Sequence, residues 1–522
     1  MSCVEKISTR INGLDLVLNG GIPKKRVTAI VGGTGTGKSV LSAEIAIRNA
    51  VEGESVLCCS FEQAKGDYLT DMSGFDWPVE EMVEYGKLTV FTANIDQTEL
   101  IGDPEILDNL FETLKIIVSE KDISILVLDA IEVLINYLPE DNYLKPFRVF
   151  CEKLRTLSVS TIITIKEISK HVEYEYIADC LIYLAQDVER QISTRILRVK
   201  KYRGSAFSPN KHSYVISGNG IRLLPLARET LSHRALGGRL STGVVKFDKM
   251  LGGGFRRASS VLISGTPGTA KTSLAGLFAK AQCEAGETVL YIDFEQSTPA
   301  MTTNLLSIGV DLTGYLKDGS FVHMSQLPES KGVEEHLFSA LDAIEKHSPK
   351  HVILDALSAC ERMGSKKTAY DYALRVINHC KSQGITVLML NQTKQALEQE
   401  LSGVEISSMI DTVILLSMFT SGNEVNRLLL IVKSRGSSHS NQYREFVLTD
   451  NGITILSSLS GAFDEIVTGT RRRILEGEYI ASRESKLNRK SSLEKELQEL
   501  GLEIEKEDLI RANRTFMDSD NI

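Results

Sequence analysis

The chain has 522 residues, 42% hydrophobic and 24% charged, a balance that excludes wholesale disorder and supports sizeable cores without disulfides. Its net charge of -9 offers no global basic field, so binding to nucleic acid or an anionic membrane is not expected. Eight cysteines without a CxxC spacing, no signal-peptide core and no apolar run near the roughly 20 residues that span a bilayer indicate buried thiols in a cytoplasmic protein.

In chain order, VTAIVG at 27–32 reads as a short buried strand that opens into the glycine-rich run GGTGTGKS. SVLSAEIAIRNAVEGE has helical spacing, with Gly53 as its stop. SVLCCSF, ISILVLDA and TIITIK follow as further buried strands, bounded by polar turns. RILRVKKYRG, HSYVISGNG and IRLLP predict antiparallel strands at the end of this stretch. The alternation of strand and helix predicts an α/β fold, with a parallel sheet covered on both faces.

The chain then begins again. Asp15 and Asp248, Lys38 and Lys271, and Glu62 and Glu295 each stand 233 positions apart. Asp129 and Asp355 repeat at 226, and Arg203 and Arg435 at 232. This period far exceeds that of a solenoid, so the expectation is a tandem duplication: domains at 1–237 and 238–470, then a charged helical tail at 471–522. Leucine or isoleucine at 493, 497, 500 and 504 gives that tail an a/d rhythm of about two heptads, too short for a sustained coiled coil.

Each copy carries the chemistry of phosphate binding. Gly32, Gly33, Thr34, Gly35, Thr36, Gly37, Lys38 and Ser39 match GxxxxGK[ST] between a strand and a helix. In that setting backbone N–H groups converge on phosphate oxygens, the lysine reaches the β- and γ-phosphates, and the serine hydroxyl serves Mg2+. The second loop, Gly265, Thr266, Pro267, Gly268, Thr269, Ala270, Lys271 and Thr272, keeps the lysine and hydroxyl. Ala270 replaces a glycine there, adding bulk and disfavouring a positive φ, and Pro267 removes a donor.

Asp129 and Asp355 end apolar strands, the place of a carboxylate holding the metal's water shell. Glu62 and Glu295 end the strand after the loop helix, as proton acceptors facing the γ-phosphate or as surface charges. Lys201 with Arg203 and Lys433 with Arg435 lie late in each copy. They read as transition-state cations supplied by a neighbouring subunit, or as a solvated basic edge.

These motifs, together with FE after the second strand, KxRGS late in each copy and EFVLTDNGI near the end, resemble the KaiC family of circadian clock proteins, tandem RecA/DnaB-like P-loop ATPases. The resemblance covers roughly residues 5–470. It implies two stacked rings of a homohexamer with ATP at subunit interfaces, the first a slow ATPase and the second an autokinase and autophosphatase. It gives Glu62 the activation of water and Glu295 the role of general base for a Ser/Thr hydroxyl. Lys201, Arg203, Lys433 and Arg435 would act in trans.

The family's Glu-Glu doublet is Glu62-Gln63 and Glu295-Gln296 here. LSGVEISSMIDTVILL places Ser407 and Ser408 on the adjacent phosphoacceptor positions and Ser402 on a third, where the first copy has Glu175, Tyr176 and Lys170. The resemblance also implies a KaiB-like partner at the N-terminal ring. A KaiA-like partner is not expected, because the tail does not reproduce the segment that receives it. A nucleotide-switched scaffold and a DNA-stimulated ATPase are the alternative readings.

Overall fold

The computed structural model describes residues 4–92, 106–135, 144–167, 178–189, 192–223, 235–393, 409–421 and 424–456, with a few tail positions between 477 and 492. It divides into two compact units, Met1–Thr230 and Leu231–Ile522. Ser402, Ser407 and Ser408, expected from the sequence to be phosphoacceptors, and the leucine rhythm of the tail lie outside the described residues.

The first unit is built on nine strands: β1 (Val27–Gly32), β2 (Val56–Ser60), β3 (Leu88–Thr92), β4 (Ile125–Asp129), β5 (Ser160–Lys166), β6 (Cys180–Glu189), β7 (Ile192–Tyr202), β8 (His212–Ser217) and β9 (Gly220–Leu223). They lie in the order 9-8-7-6-1-5-4-2-3. The members from β6 to β3 pair in parallel, and β6 to β9 pair antiparallel. Both the parallel core and the antiparallel extension follow the sequence expectation.

Side chains alternate between two cores. Ile30, Val56, Cys58, Val127 and Ile162 join a cluster on one face, while Ala29, Val31, Leu57, Leu128 and Ile163 join one on the other. A strand buried on both faces reads as a continuous apolar run, which is why VTAIVG and ILVLD were legible. The helix Lys38–Val51 covers the first face and ends just before Gly53, whose φ is 97°.

The second unit repeats the plan with β10 (Ser260–Gly265), β11 (Val289–Asp293), β12 (Phe321–Ser325), β13 (His351–Asp355), β14 (Thr386–Gln392), β15 (Thr412–Ser421), β16 (Glu424–Ser434), β17 (Arg444–Thr449) and β18 (Gly452–Ile455). Their order is 12-11-13-14-10-15-16-17-18. The two sheets are the same permutation of strands, so the duplication extends through topology. All seven described cysteines are buried free thiols. Among the described residues no helix is long and apolar enough to cross a membrane.

Two candidate nucleotide sites

Each glycine loop leaves the carboxyl end of its central strand, where ligands of open α/β sheets bind. In the first, Gly35 and Gly37 take φ of 75° and 83°, a left-handed conformation that suits glycine. Gly32 is fixed for a different reason: a Cβ there would sit 2.4 Å from the Leu184 carbonyl oxygen on β6. Thr36 folds back, its hydroxyl donating to the Gly33 carbonyl at 2.9 Å, and Tyr214 on β8 donates to the Thr36 carbonyl. The loop is therefore pinned from two strands, while Thr34 and Gly35 stay exposed at its tip.

Lys38 turns its Nζ onto the Gly33 carbonyl at 2.9 Å. Burial lowers its pKa, and the carboxylates of Glu132, then Asp129, oppose that shift. Lys271 does the same against the Gly265 and Thr266 carbonyls, both at 2.9 Å. Its pKa is likewise lowered by burial and supported by Asp355 and Glu295. Ala270 adopts φ 69° despite its Cβ, so the second loop keeps the left-handed turn that the substitution was expected to disfavour. A positive-φ turn, a helix N-terminus and a half-buried ammonium in each copy fit a polyphosphate.

The carboxylates that end the two strands are held differently in the two copies. Asp129 is 4% exposed and accepts from the Thr164 hydroxyl at 2.6 Å. Burial raises its pKa, with the hydroxyls of Thr164 and Ser39 pulling the other way. Asp355 accepts from Thr272 at 2.9 Å and from Tyr291 at 2.7 Å, both on Oδ2. Burial pushes its pKa up to about 6. Hydroxyl and carboxylate thus sit together in each copy, the donor set that suits a hard divalent cation such as Mg2+. Sequence reasoning missed Thr164 and Tyr291, because a hydroxyl within an apolar strand carries no motif.

Glu62 and Glu295 are exposed on the turns that leave β2 and β11. Ser60 holds the first turn by accepting from the Gln63 amide at 3.2 Å. Asp293 holds the second, accepting from the Glu295 and Gln296 amides at 2.8 Å each. Each turn is also tied to the neighbouring carboxylate strand: Phe61 N donates to the Asp129 carbonyl at 3.2 Å, and Phe294 N to the Asp355 carbonyl at 2.6 Å. The glutamines that follow pair with the next helix. Gln63 donates to Asp71 at 2.7 Å, and Gln296 accepts from Asn304 at 2.9 Å.

The paired cations lie elsewhere. Arg203 N donates to the Asp179 carbonyl, and Arg435 N to that of Asp411. Asp179 and Asp411 precede the first residues of β6 and β15, whereas Gly32 and Gly265 register with Leu184 and Leu416. That is five strand positions, roughly 16 Å, along the sheet. Asp179 also binds the Arg203 and Arg155 guanidinium groups at 3.6 and 3.1 Å, and Asp411 binds Lys381 at 2.7 Å. The main-chain position of Lys201 or Lys433 is likewise near the far end, paired with Leu181 or Val413. Within one unit the structure joins loop, hydroxyl and carboxylates, and sets the Lys-Arg pairs at the far end of the strands.

The family model for the KaiC ATPase matches twice, at residues 7–228 and 240–460. Circadian clock protein KaiC2 of Synechocystis sp. is 34% identical over 92% of this chain and 86% of its own length. The circadian clock oscillator proteins KaiC of Picosynechococcus sp. and Synechococcus elongatus are each 28% identical, over 90% of this chain and 93% and 92% of theirs. With both loop-and-sheet units matched separately, and relatives aligned along about nine-tenths of its length, the chain belongs to the KaiC ATPase family.

Proposed function

We propose that the protein is an ATP- and Mg2+-dependent ATPase and serine autokinase that works as a cytoplasmic homohexamer, with nucleotide bound between subunits. The observation that carries this reading is the separation just described. Each unit holds a phosphate loop at one end of its strands and a Lys-Arg pair at the other. A neighbouring copy that turned its far end toward the loop would complete the site. Bound Mg2+ would be held through Ser39 and Asp129, and through Thr272 and Asp355, and would neutralise charge on the phosphates. Glu62 activates water in the first unit, and Glu295 accepts the proton of a serine hydroxyl in the second.

Lys201 and Arg203, and Lys433 and Arg435, stabilise the transferring phosphoryl group from the adjacent subunit. Ser407 and Ser408 are the acceptors, with Ser402 beside them. A KaiB-like protein is the partner expected at the first unit; a KaiA-like partner is not. Incubation with Mg2+ and γ-labelled ATP, followed by phosphosite mapping, tests the kinase half: label falls within 402–408 and is lost in the Ser407→Ala/Ser408→Ala variant. Label that persists unchanged in that variant refutes the acceptor assignment. Hydrolysis without any label leaves a nucleotide-switched ATPase, a reading favoured by the engagement of Gln63 and Gln296 with their helices.

A further inference from the structure

Glu132 stands three residues beyond Asp129, at the start of the short helix Glu132–Ile135. Ile131 N donates to the Thr164 carbonyl at 3.3 Å, two residues before Lys166, which registers with Gly32, so Glu132 stands beside the strand ends that carry the glycine loop. Its Oε2 is buried and meets no hydrogen-bond donor. A buried carboxylate oxygen without a partner is costly. Lys38 reaches back to the Gly33 carbonyl of that same loop, and the negative charge of Glu132 favours its ammonium against the burial that lowers its pKa.

The second unit lacks this group. Ser358 occupies the equivalent position, three residues beyond Asp355, and its hydroxyl accepts from the Gln392 amide at 3.2 Å. The two loops therefore differ by a carboxylate beside the phosphate-binding lysine. Lys166, which registers with Gly32, brings a compensating cation to the first site. It is exposed, so solvent screens it, while the Glu132 oxygen is shielded from water.

We infer that Glu132 is a specificity-determining residue of the first site, an electrostatic gate that disfavours a nucleoside triphosphate relative to a diphosphate. The inference rests on the nucleotide-binding reading above and deepens it. A γ-phosphate adds negative charge next to Lys38, where the carboxylate already competes for the ammonium. A diphosphate keeps its charge further back on the loop amides. The second site, with Ser358, has no such gate and favours the triphosphate.

The test is equilibrium binding of fluorescent ATP and ADP analogues, with Mg2+, to the full-length chain carrying Lys271→Ala so that the first site is read alone. Glu132→Gln, which keeps the shape, raises the ATP-to-ADP affinity ratio by about tenfold, the effect of one charge at roughly 10 Å in an effective dielectric near 20. Glu132→Ser gives the same direction. Ser358→Glu, placed in a Lys38→Ala background, lowers the ratio at the second site. A ratio that stays within twofold while both nucleotides still bind, or both affinities moving together, overturns the gate and leaves nucleotide binding intact. First-site binding indifferent to Lys38→Ala overturns the nucleotide reading as well.

Discussion

Gly37 and Ala270 hold the same place in the two loops, and exchanging their side chains should have unequal effects. Both residues are left-handed, with φ of 83° and 69°, which costs an L-residue roughly 1–2 kcal/mol. Glycine in turn carries a larger unfolded-state entropy, worth about 0.4–1 kcal/mol. For Ala270→Gly these nearly cancel, and the lost methyl contact at the edge of the second core, where Ala270 and Leu448 both pack, removes part of the remainder. The expected change lies within about 1 kcal/mol of zero.

Gly37→Ala adds a steric problem. A Cβ there would lie 2.5 Å from Cδ1 of Ile216, so the isoleucine must leave its rotamer at a cost of about 0.5–1.5 kcal/mol. Less the entropy that alanine removes from the unfolded chain, the net destabilisation is about 0.5–3 kcal/mol. Urea unfolding of each variant, monitored with and without ATP, reads both effects. Equal free-energy changes in the two variants would refute the argument from Ile216. Relief of the Gly37→Ala defect by Ile216→Ala would support it.

Three further outcomes are expected. If the Lys-Arg pairs act across subunits, Lys38→Ala protomers and Arg203→Ala protomers, each inactive in first-site ATP hydrolysis, regain activity on mixing; no recovery means the cations do not work in trans. Acidification should weaken the second unit: burial lowers the pKa of His351, which bonds Glu287 at 2.5 Å, so the unfolded chain takes up the proton first. Stability then falls as pH drops below about 6.5, by at most about 1.4 kcal/mol per pH unit for one histidine. His351→Ile, matching Ile125 of the first unit, should flatten the dependence of melting temperature on pH, although His336, also lowered by burial, keeps a residual slope. Tyr291→Phe removes a donor to Asp355 and should weaken Mg2+-dependent nucleotide binding in the second unit about tenfold or less, as the loss of a bond to a charged group; binding unchanged by the substitution would deny Tyr291 that positioning role.

Much of the fold was legible because burial on both sheet faces turns strands such as VTAIVG and SVLISG into unbroken apolar runs, and because the chain states its plan twice. The loops and their flanking carboxylates were legible for a related reason: phosphate chemistry demands glycine, lysine and hydroxyl at fixed spacing. Thr164 and Tyr291 were not. Their importance comes from packing of strands distant in sequence, which places a hydroxyl beside Asp129 or Asp355. Ala270 shows the limit of local propensity, since the surrounding loop imposes a left-handed backbone on a residue that disfavours it.

The bonds from Phe61 to the Asp129 carbonyl and from Phe294 to the Asp355 carbonyl have a mechanical consequence. They clamp two strand ends into one stiff jaw, so the glutamate and the aspartate of each copy travel together. A shift of either strand end is therefore passed to the other through the shared bond. Tuning such a jaw falls to what lies beyond the clamp: the hydroxyls, the glutamines and, in the first copy, Glu132.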